Sequence, residues 1–138
     1  MIKTSQRNDP KSDLKSELTI PAHRGAGAIA RRAVSDWMRE HPRLDDALLA
    51  VTELVNNAVL HGGIGPGEEL TITMRPERDG IRLTVRHVGV IFDPHQTRSR
   101  SRDAGASRGL EIVEKIADGW GVDSDGTEVT AWFEVGST

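Results

Sequence analysis

The sequence reads as one α+β domain, a two-layer α/β sandwich in which a mixed, mostly antiparallel sheet carries helices on one face. Three observations predict it. Residues 25–40 and 44–60 place apolar side chains at helical spacing. Residues 70–74, 81–85 and 129–135 alternate apolar and polar, as half-buried strands do. Asp79-Gly80 and Asp125-Gly126 supply the turn chemistry that joins such runs into hairpins. A chain of 138 residues is long enough to bury a real core and too short for two independent ones.

Residues 1–15 are polar and aperiodic and read as a flexible segment, so the expected domain is 16–138. Glu17-Leu18-Thr19-Ile20 is a short strand stopped by Pro21. The first helix, Gly25 to Glu40, carries Ile29, Ala33, Val34, Trp37 and Met38 at helical spacing and ends at His41-Pro42. A second helix spans about Leu44 to Leu60, with Asp45 and Asp46 at its positive end and Gly62 as its cap. After a glycine-rich connection come Leu70–Met74 and Ile81–Val85 as a hairpin. Residues 93–106 form a long polar loop, expected as a lid, and a third helix covers about Gly109 to Ala117. Runs around Trp120-Gly121-Val122 and Val129–Val135 complete the sheet.

Composition bounds the function. A net charge of -3 and a pI near 5.9 argue against a general nucleic-acid binder. The absence of cysteine excludes a disulfide framework and a thiolate metal site and fits a reducing cytoplasm. No apolar run is long enough to span a bilayer, and the polar start lacks the core of a secretion signal. The expectation is a cytoplasmic protein without membrane partners.

The most informative stretch is Glu53-Leu54-Val55-Asn56-Asn57-Ala58-Val59-Leu60-His61, where an acid, an amide and an imidazole recur four residues apart. They stack along one polar stripe, roughly opposite an apolar face made by Leu44, Leu48, Val51, Val55 and Ala58. A carboxylate takes a proton from a nucleophile, and an amide oxygen one turn on ligates a hard cation such as Mg2+. That pairing suits phosphoryl transfer from a nucleotide. His61 near the helix end more simply satisfies the last carbonyls. The five histidines show no metal-ligand spacing. Arg98, Arg100 and Arg102 alternate with serines and lack interleaved aromatics, which favours a solvated loop over base stacking. Trp37, Trp120 and Trp132 lie in apolar runs and read as core or partner-facing.

Together, the order of elements and these motifs resemble the GHKL (Bergerat-fold) ATPase superfamily over roughly residues 17–135, and most closely its short anti-sigma-factor serine/threonine kinase-like branch. The family's helix motif of Glu, Asn four later, then Ala is kept as Glu53, Asn57 and Ala58. The resemblance implies that Glu53 is a general base toward a protein hydroxyl and that Asn57 holds Mg2+ against ATP, with His61 beside the nucleotide. Ser107-Arg108-Gly109-Leu110 resembles the second glycine box, placing Arg108, Gly109 and Leu110 at the phosphates, where a helix start favours anions. The closing strands imply a small or hydroxyl residue near adenine, provisionally Thr130.

The first glycine box departs from the pattern. Counted back from Phe92-Asp93-Pro94, Gly89 is kept, His87 stands where the family has its adenine-recognising aspartate, and Ile91 replaces the second glycine. Loss of one buried hydrogen bond to the base costs about 1–3 kcal/mol, or roughly one to two decades of affinity. Three readings follow. The leading one is a bacterial ATP-dependent serine/threonine kinase that phosphorylates a small anti-anti-sigma (STAS-like) partner and thereby controls a sigma factor. The second is a degenerate protein-binding module, and the third a nucleotide sensor without phosphotransfer. The resemblance also allows a homodimer, and it names no direct nucleic-acid partner.

Overall fold

The protein's structure is a computed structural model that describes residues 15–61, 64, 67–89 and 105–137, with only the helical backbone described at 105–110. Residues 1–14 of the expected 1–15 segment, the expected cap Gly62 and most of the expected 93–106 loop, with Arg98, Arg100 and Arg102, lie outside the described residues, as do Ile91 and Phe92-Asp93-Pro94. The elements in order are β1 (Ser16–Pro21), α1 (Ala26–Trp37), α2 (Leu44–His61), β2 (Glu69–Glu77), β3 (Gly80–Val88), α3 (Gly105–Ile116), β4 (Gly119–Ser124) and β5 (Glu128–Gly136). Helix α1 stops short of the expected Glu40, which has φ of 78°, a left-handed conformation through which no helix continues.

One sheet has the order β1-β2-β3-β5-β4. Every pair in it is antiparallel, which corrects the expectation of a mixed sheet. The reason is topological. β4 follows β3 through α3 and runs parallel to it, but β5 inserts between the two, so no parallel pair shares hydrogen bonds.

Strand alternation sorts the side chains into two faces. Ile81, Leu83, Val85 and His87 of β3, with Val129, Ala131, Phe133 and Val135 of β5, are buried on the inner face. Arg82, Thr84 and Arg86 point the other way, where Arg82 lies 4.1 Å over the Trp132 ring. All three helices lie on the inner face. Helix α2 packs against α1, α3, β3 and β5, so it is the centre of the helix layer. Its Ala47, Ala50 and Ala58 are buried, and these small side chains let it approach its neighbours closely.

Two devices close the end of the sandwich nearest β5's terminus. The Arg43 guanidinium pairs with Asp46 Oδ2 at 2.9 Å, donates to the Ile116 carbonyl at 2.7 Å and sits 3.6 Å from Asp118 Oδ2. Asp118 Oδ2 in turn accepts from the Gly136 amide at 2.7 Å, so the ends of α2, α3 and β5 are tied through one cation. The β2–β3 turn falls at Arg78-Asp79 rather than at the expected Asp79-Gly80. Gly80 is instead a strand residue paired with Glu77 and Gly136, and a Cβ there would run into the Val135 carbonyl oxygen and lie 2.8 Å from Gly136 Cα. The β4–β5 turn is as expected: Asp125 Oδ1 accepts from the amides of Thr127 at 2.9 Å and Glu128 at 2.8 Å.

Gly80→Ala should destabilise the domain by about 1–3 kcal/mol, the usual penalty of overpacking against rigid backbone, read as a lower denaturant midpoint at unchanged slope. Hydrogen bonds from Glu128 and Thr127 hold the Asp125 carboxyl below its ordinary 3.8. A lowered carboxyl contributes stability above its unfolded-state value and loses it as pH falls through the folded value. Asp125→Ala should therefore melt earlier at neutral pH, and the gap to the unaltered chain should close on acidification below about 3.8.

Candidate functional site

The stripe on α2 does not lie opposite the core, as expected, but beside it. Each four-residue step overshoots a helical turn by about 40°, so the stripe drifts around the helix as it climbs. Glu53 is half-buried, Asn57 is only 3% exposed, and His61, the helix's last residue, lies beyond the packed region and is exposed. Asn57 is thus one of two buried polar side chains among the described residues.

Its environment fixes its orientation. Asn57 Nδ2 donates to the Glu53 carbonyl oxygen at 2.9 Å. A carbonyl only accepts, so the nitrogen must be the atom that faces it and Oδ1 is left as the atom available to a ligand. Burial, with no compensating partner charge, raises the Glu53 carboxyl above its ordinary 4.5.

The second buried polar side chain is His87, at 4% exposure, on the inner face of β3 between Leu70 of β2 and Val129 of β5. Its Nδ1 lies 3.2 Å from the Val88 carbonyl oxygen. That contact is a hydrogen bond only if Nδ1 carries the hydrogen, which makes Nε2 the bare acceptor of the neutral ring. Nε2 is shut off from solvent and has no partner. Gly89 follows with φ of 152°, a conformation essentially restricted to glycine, and its amide donates to the Thr127 carbonyl at 3.2 Å.

Helix α3 begins at Gly105, four residues before the expected start. Gly109 and Leu110 therefore lie in its second turn, where amides are spent on carbonyls four residues back, and the free N–H groups belong to residues 105–108. This corrects the placement of Gly109 at a helix start and leaves Arg108 in the first turn. Helix α3 packs beside α2, so this end of the helix layer and the Glu53–Asn57 stripe belong to neighbouring elements.

Thr130 is on the wrong face. It pairs with Arg86 and Asp123 and lines a shallow depression with Thr84, Arg86 and Arg75 on the helix-free side. Strand alternation separates it from His87, whose direct partner on β5 is Val129. The signal was present in the sequence: Val129, Ala131, Phe133 and Val135 are in phase as the apolar set, and Thr130 is out of phase with them. No group of three or more His, Cys, Asp or Glu side chains gathers to hold a metal among the described residues.

The fold and the site define a class: an α+β sandwich with one buried polar side chain on its central helix and another on the inner face of its antiparallel sheet. Residues 19–133 match the family model of the histidine kinase-like ATPase domain, and the chain belongs to that family. Its fold is similar to that in the crystal structure of the RsbU and RsbW domains of Rv1364c from Mycobacterium tuberculosis, with a TM-score of 0.66 and 19% identity over 88% of this chain. This chain spans 32% of that chain's length. No curated protein matches the sequence.

Because burial disfavours the charged form of Glu53, the folded state should gain stability as that carboxyl is protonated. Glu53→Gln should raise the melting temperature at neutral pH, and the advantage should shrink as pH falls through the folded value toward 4.5.

Proposed function

We propose that the chain binds Mg-ATP between α2 and the sheet and transfers its γ-phosphoryl group to a serine or threonine hydroxyl of a partner protein. The observation that carries this reading is the Glu53–Asn57 pair. The hydrogen bond of Asn57 Nδ2 to the Glu53 carbonyl holds the amide with its oxygen outward, which is the donor a hard cation takes. One such ligand fits Mg2+, which fills its remaining positions with phosphate and water oxygens. When bound, Mg-ATP supplies the electrophilic phosphorus and the positive charge that offsets the triphosphate.

The chain's own residues then have separable tasks. Asn57 Oδ1 positions the cation. Glu53, its carboxyl made more basic by burial, takes the hydroxyl proton as the new oxygen–phosphorus bond forms and ADP leaves. The first-turn amides of α3 favour anionic oxygens, and the resemblance to the second glycine box supports Arg108, Gly109 and Leu110 as the phosphate-binding positions at this end of the helix. His61 stands at the open end of the stripe. The resemblance to anti-sigma-factor kinases supports a small STAS-like anti-anti-sigma protein as the phosphate acceptor and a sigma factor as the regulated partner. The resemblance in fold to a chain described as holding RsbU and RsbW domains supports the same direction.

A second reading is favoured by one observation, the histidine at position 87 with its unpartnered Nε2. On that reading nucleotide binding is weak or lost and the domain serves as a protein-binding module.

Thermal stabilisation by ATP, with and without Mg2+, separates the two. Magnesium-dependent stabilisation is expected, and Asn57→Ala should weaken it about 10- to 100-fold. Glu53→Ala should keep nucleotide binding and lose phosphate transfer to the acceptor protein. Transfer that survives Glu53→Ala would overturn its role as base, and absence of nucleotide binding under both metal conditions would favour the binding module.

A further inference from the structure

We propose that the helix-free face of the sheet carries an anion site of its own, in which Arg75 and Arg82 share one phosphate-type oxyanion across the β2–β3 pair. The site lies on the opposite side of the sheet from the helix layer that holds Glu53 and Asn57, and it does not rest on the nucleotide-binding reading above.

The argument starts from the strand register. Arg75 of β2 stands directly opposite Arg82 of β3, and both are out of phase with the buried residues of their strands, so both side chains leave the sheet on its helix-free face. Like charges facing each other across an antiparallel pair are destabilising. Lys15 precedes Ser16, the partner of Met74, so the start of β1 brings a third cation beside Arg75. Arg86 is a fourth, on the same face of β3. In a chain whose net charge is -3, these four cations line one depression of about 380 Å³.

The neighbouring carboxylates leave that charge poorly matched. Glu17, the depression's one acid, lies 3.5 Å from Lys15 and 3.9 Å from Arg86. Glu128 is 3.9 Å from Arg86, and Glu134 is 3.4 Å from Arg82. Ion pairs this long between partly exposed side chains contribute little. Arg75 has neither an ion pair nor a hydrogen bond among the described residues. Arg82 is held in one orientation: its guanidinium stacks 4.1 Å over the Trp132 ring, and that ring lies so close over Gly121 that a Cβ there would come within 2.9 Å of it. Its buried Nε makes no hydrogen bond.

The ligand chemistry follows from the donors. A phosphate carries about two negative charges at neutral pH and several strong acceptor oxygens, enough to take hydrogen bonds from two guanidinium forks at once. Thr73 and Thr84, opposite each other on the same face and lining the same depression, add hydroxyl donors. A carboxylate brings one charge and two oxygens, which suit a single fork. Once bound, the phosphate replaces repulsion between Arg75 and Arg82 with attraction of both to the anion between them.

Titration of inorganic phosphate into the intact chain at constant ionic strength, followed by backbone amide NMR, tests this. Shifts should centre on Thr73, Arg75, Arg82 and Thr84, and phosphate should bind about tenfold or more tightly than acetate. Arg75→Gln should weaken phosphate about 10- to 100-fold. Without phosphate the same variant should melt about 1–4 °C higher, because it removes the like-charge pair, whereas Arg75→Lys keeps the charge and should show no such gain. Titration of O-phosphoserine identifies the source: binding comparable to inorganic phosphate assigns the site to phosphoryl esters, and rejection assigns it to the free anion, each in keeping with a phosphate-type ligand. Shifts confined to α3 or to the Asn57 end of α2, an unchanged phosphate affinity in Arg75→Gln, equal binding of acetate, or a lower melting temperature in Arg75→Gln would overturn the proposal.

Discussion

The packing of α2 onto β3 and β5 is the constraint on which the rest depends. Ala47, Ala50, Val51, Leu54, Val55 and Ala58 are buried beneath it, and Leu83, Val85, Ala131 and Phe133 rise to meet them from the sheet. Small side chains on the helix and larger ones on the strands let backbone approach backbone without voids. The same closeness fixes the rotation of α2 about its axis. A rotation that exposed Asn57 would lift Leu54 and Ala50 out of the core, so the position of the amide is set by hydrophobic burial and not by any polar contact of its own.

That dependence explains why the site sits where it does. The polar stripe precesses from the half-buried Glu53 through the buried Asn57 to the exposed His61, so the helix carries its chemistry along the border between core and solvent. A carboxyl on that border is partly stripped of water, which raises its proton affinity while leaving it half exposed. The Arg43 clamp works at the opposite end of α2 and fixes its start to the ends of α3 and β5. With one end clamped and the middle packed, the Glu53 half of the helix has little freedom to tilt.

Periodicity made much of this legible in the sequence, and its failures have physical causes. The alternation of Ile81–Val85 and Val129–Val135 gave the strands and their inner face, since period-two burial leaves a clear signature. It could not give the strand order. That β5 inserts between β3 and β4 depends on long-range pairing that no local pattern encodes, and the mixed sheet was expected for that reason. The expectation of a helix starting at Gly109 rested on apolar spacing, which is silent over the polar turn 105–108 that opens α3. The stripe was placed opposite the core because a rough wheel ignores drift: the one step of four residues from Glu53 to Asn57 is offset by about 40°, enough to carry a polar position from the border into the buried arc. Thr130 was misplaced by reading residue type ahead of strand phase.

The two buried polar side chains share one device. Asn57 donates through Nδ2 to the carbonyl of Glu53, and the carbonyl of Val88, 3.2 Å from His87 Nδ1, accepts from that ring in its Nδ1–H tautomer. Each side chain has two chemically distinct polar atoms, and in isolation either could face a ligand. A backbone carbonyl tolerates only a donor, so it sorts the pair and turns the acceptor away from itself. Backbone oxygens are the natural choice for this task because secondary structure holds them still: one belongs to the interior of an α-helix and the other to the end of a central strand. The result is a pair of neutral acceptors, one oxygen and one nitrogen, fixed on the facing layers of the sandwich. Neutrality matters at these depths, since an unpaired buried charge would cost far more than an unpaired dipole. The sole acidic member of the stripe, Glu53, is also its half-buried one, at the border where water still offsets part of its charge.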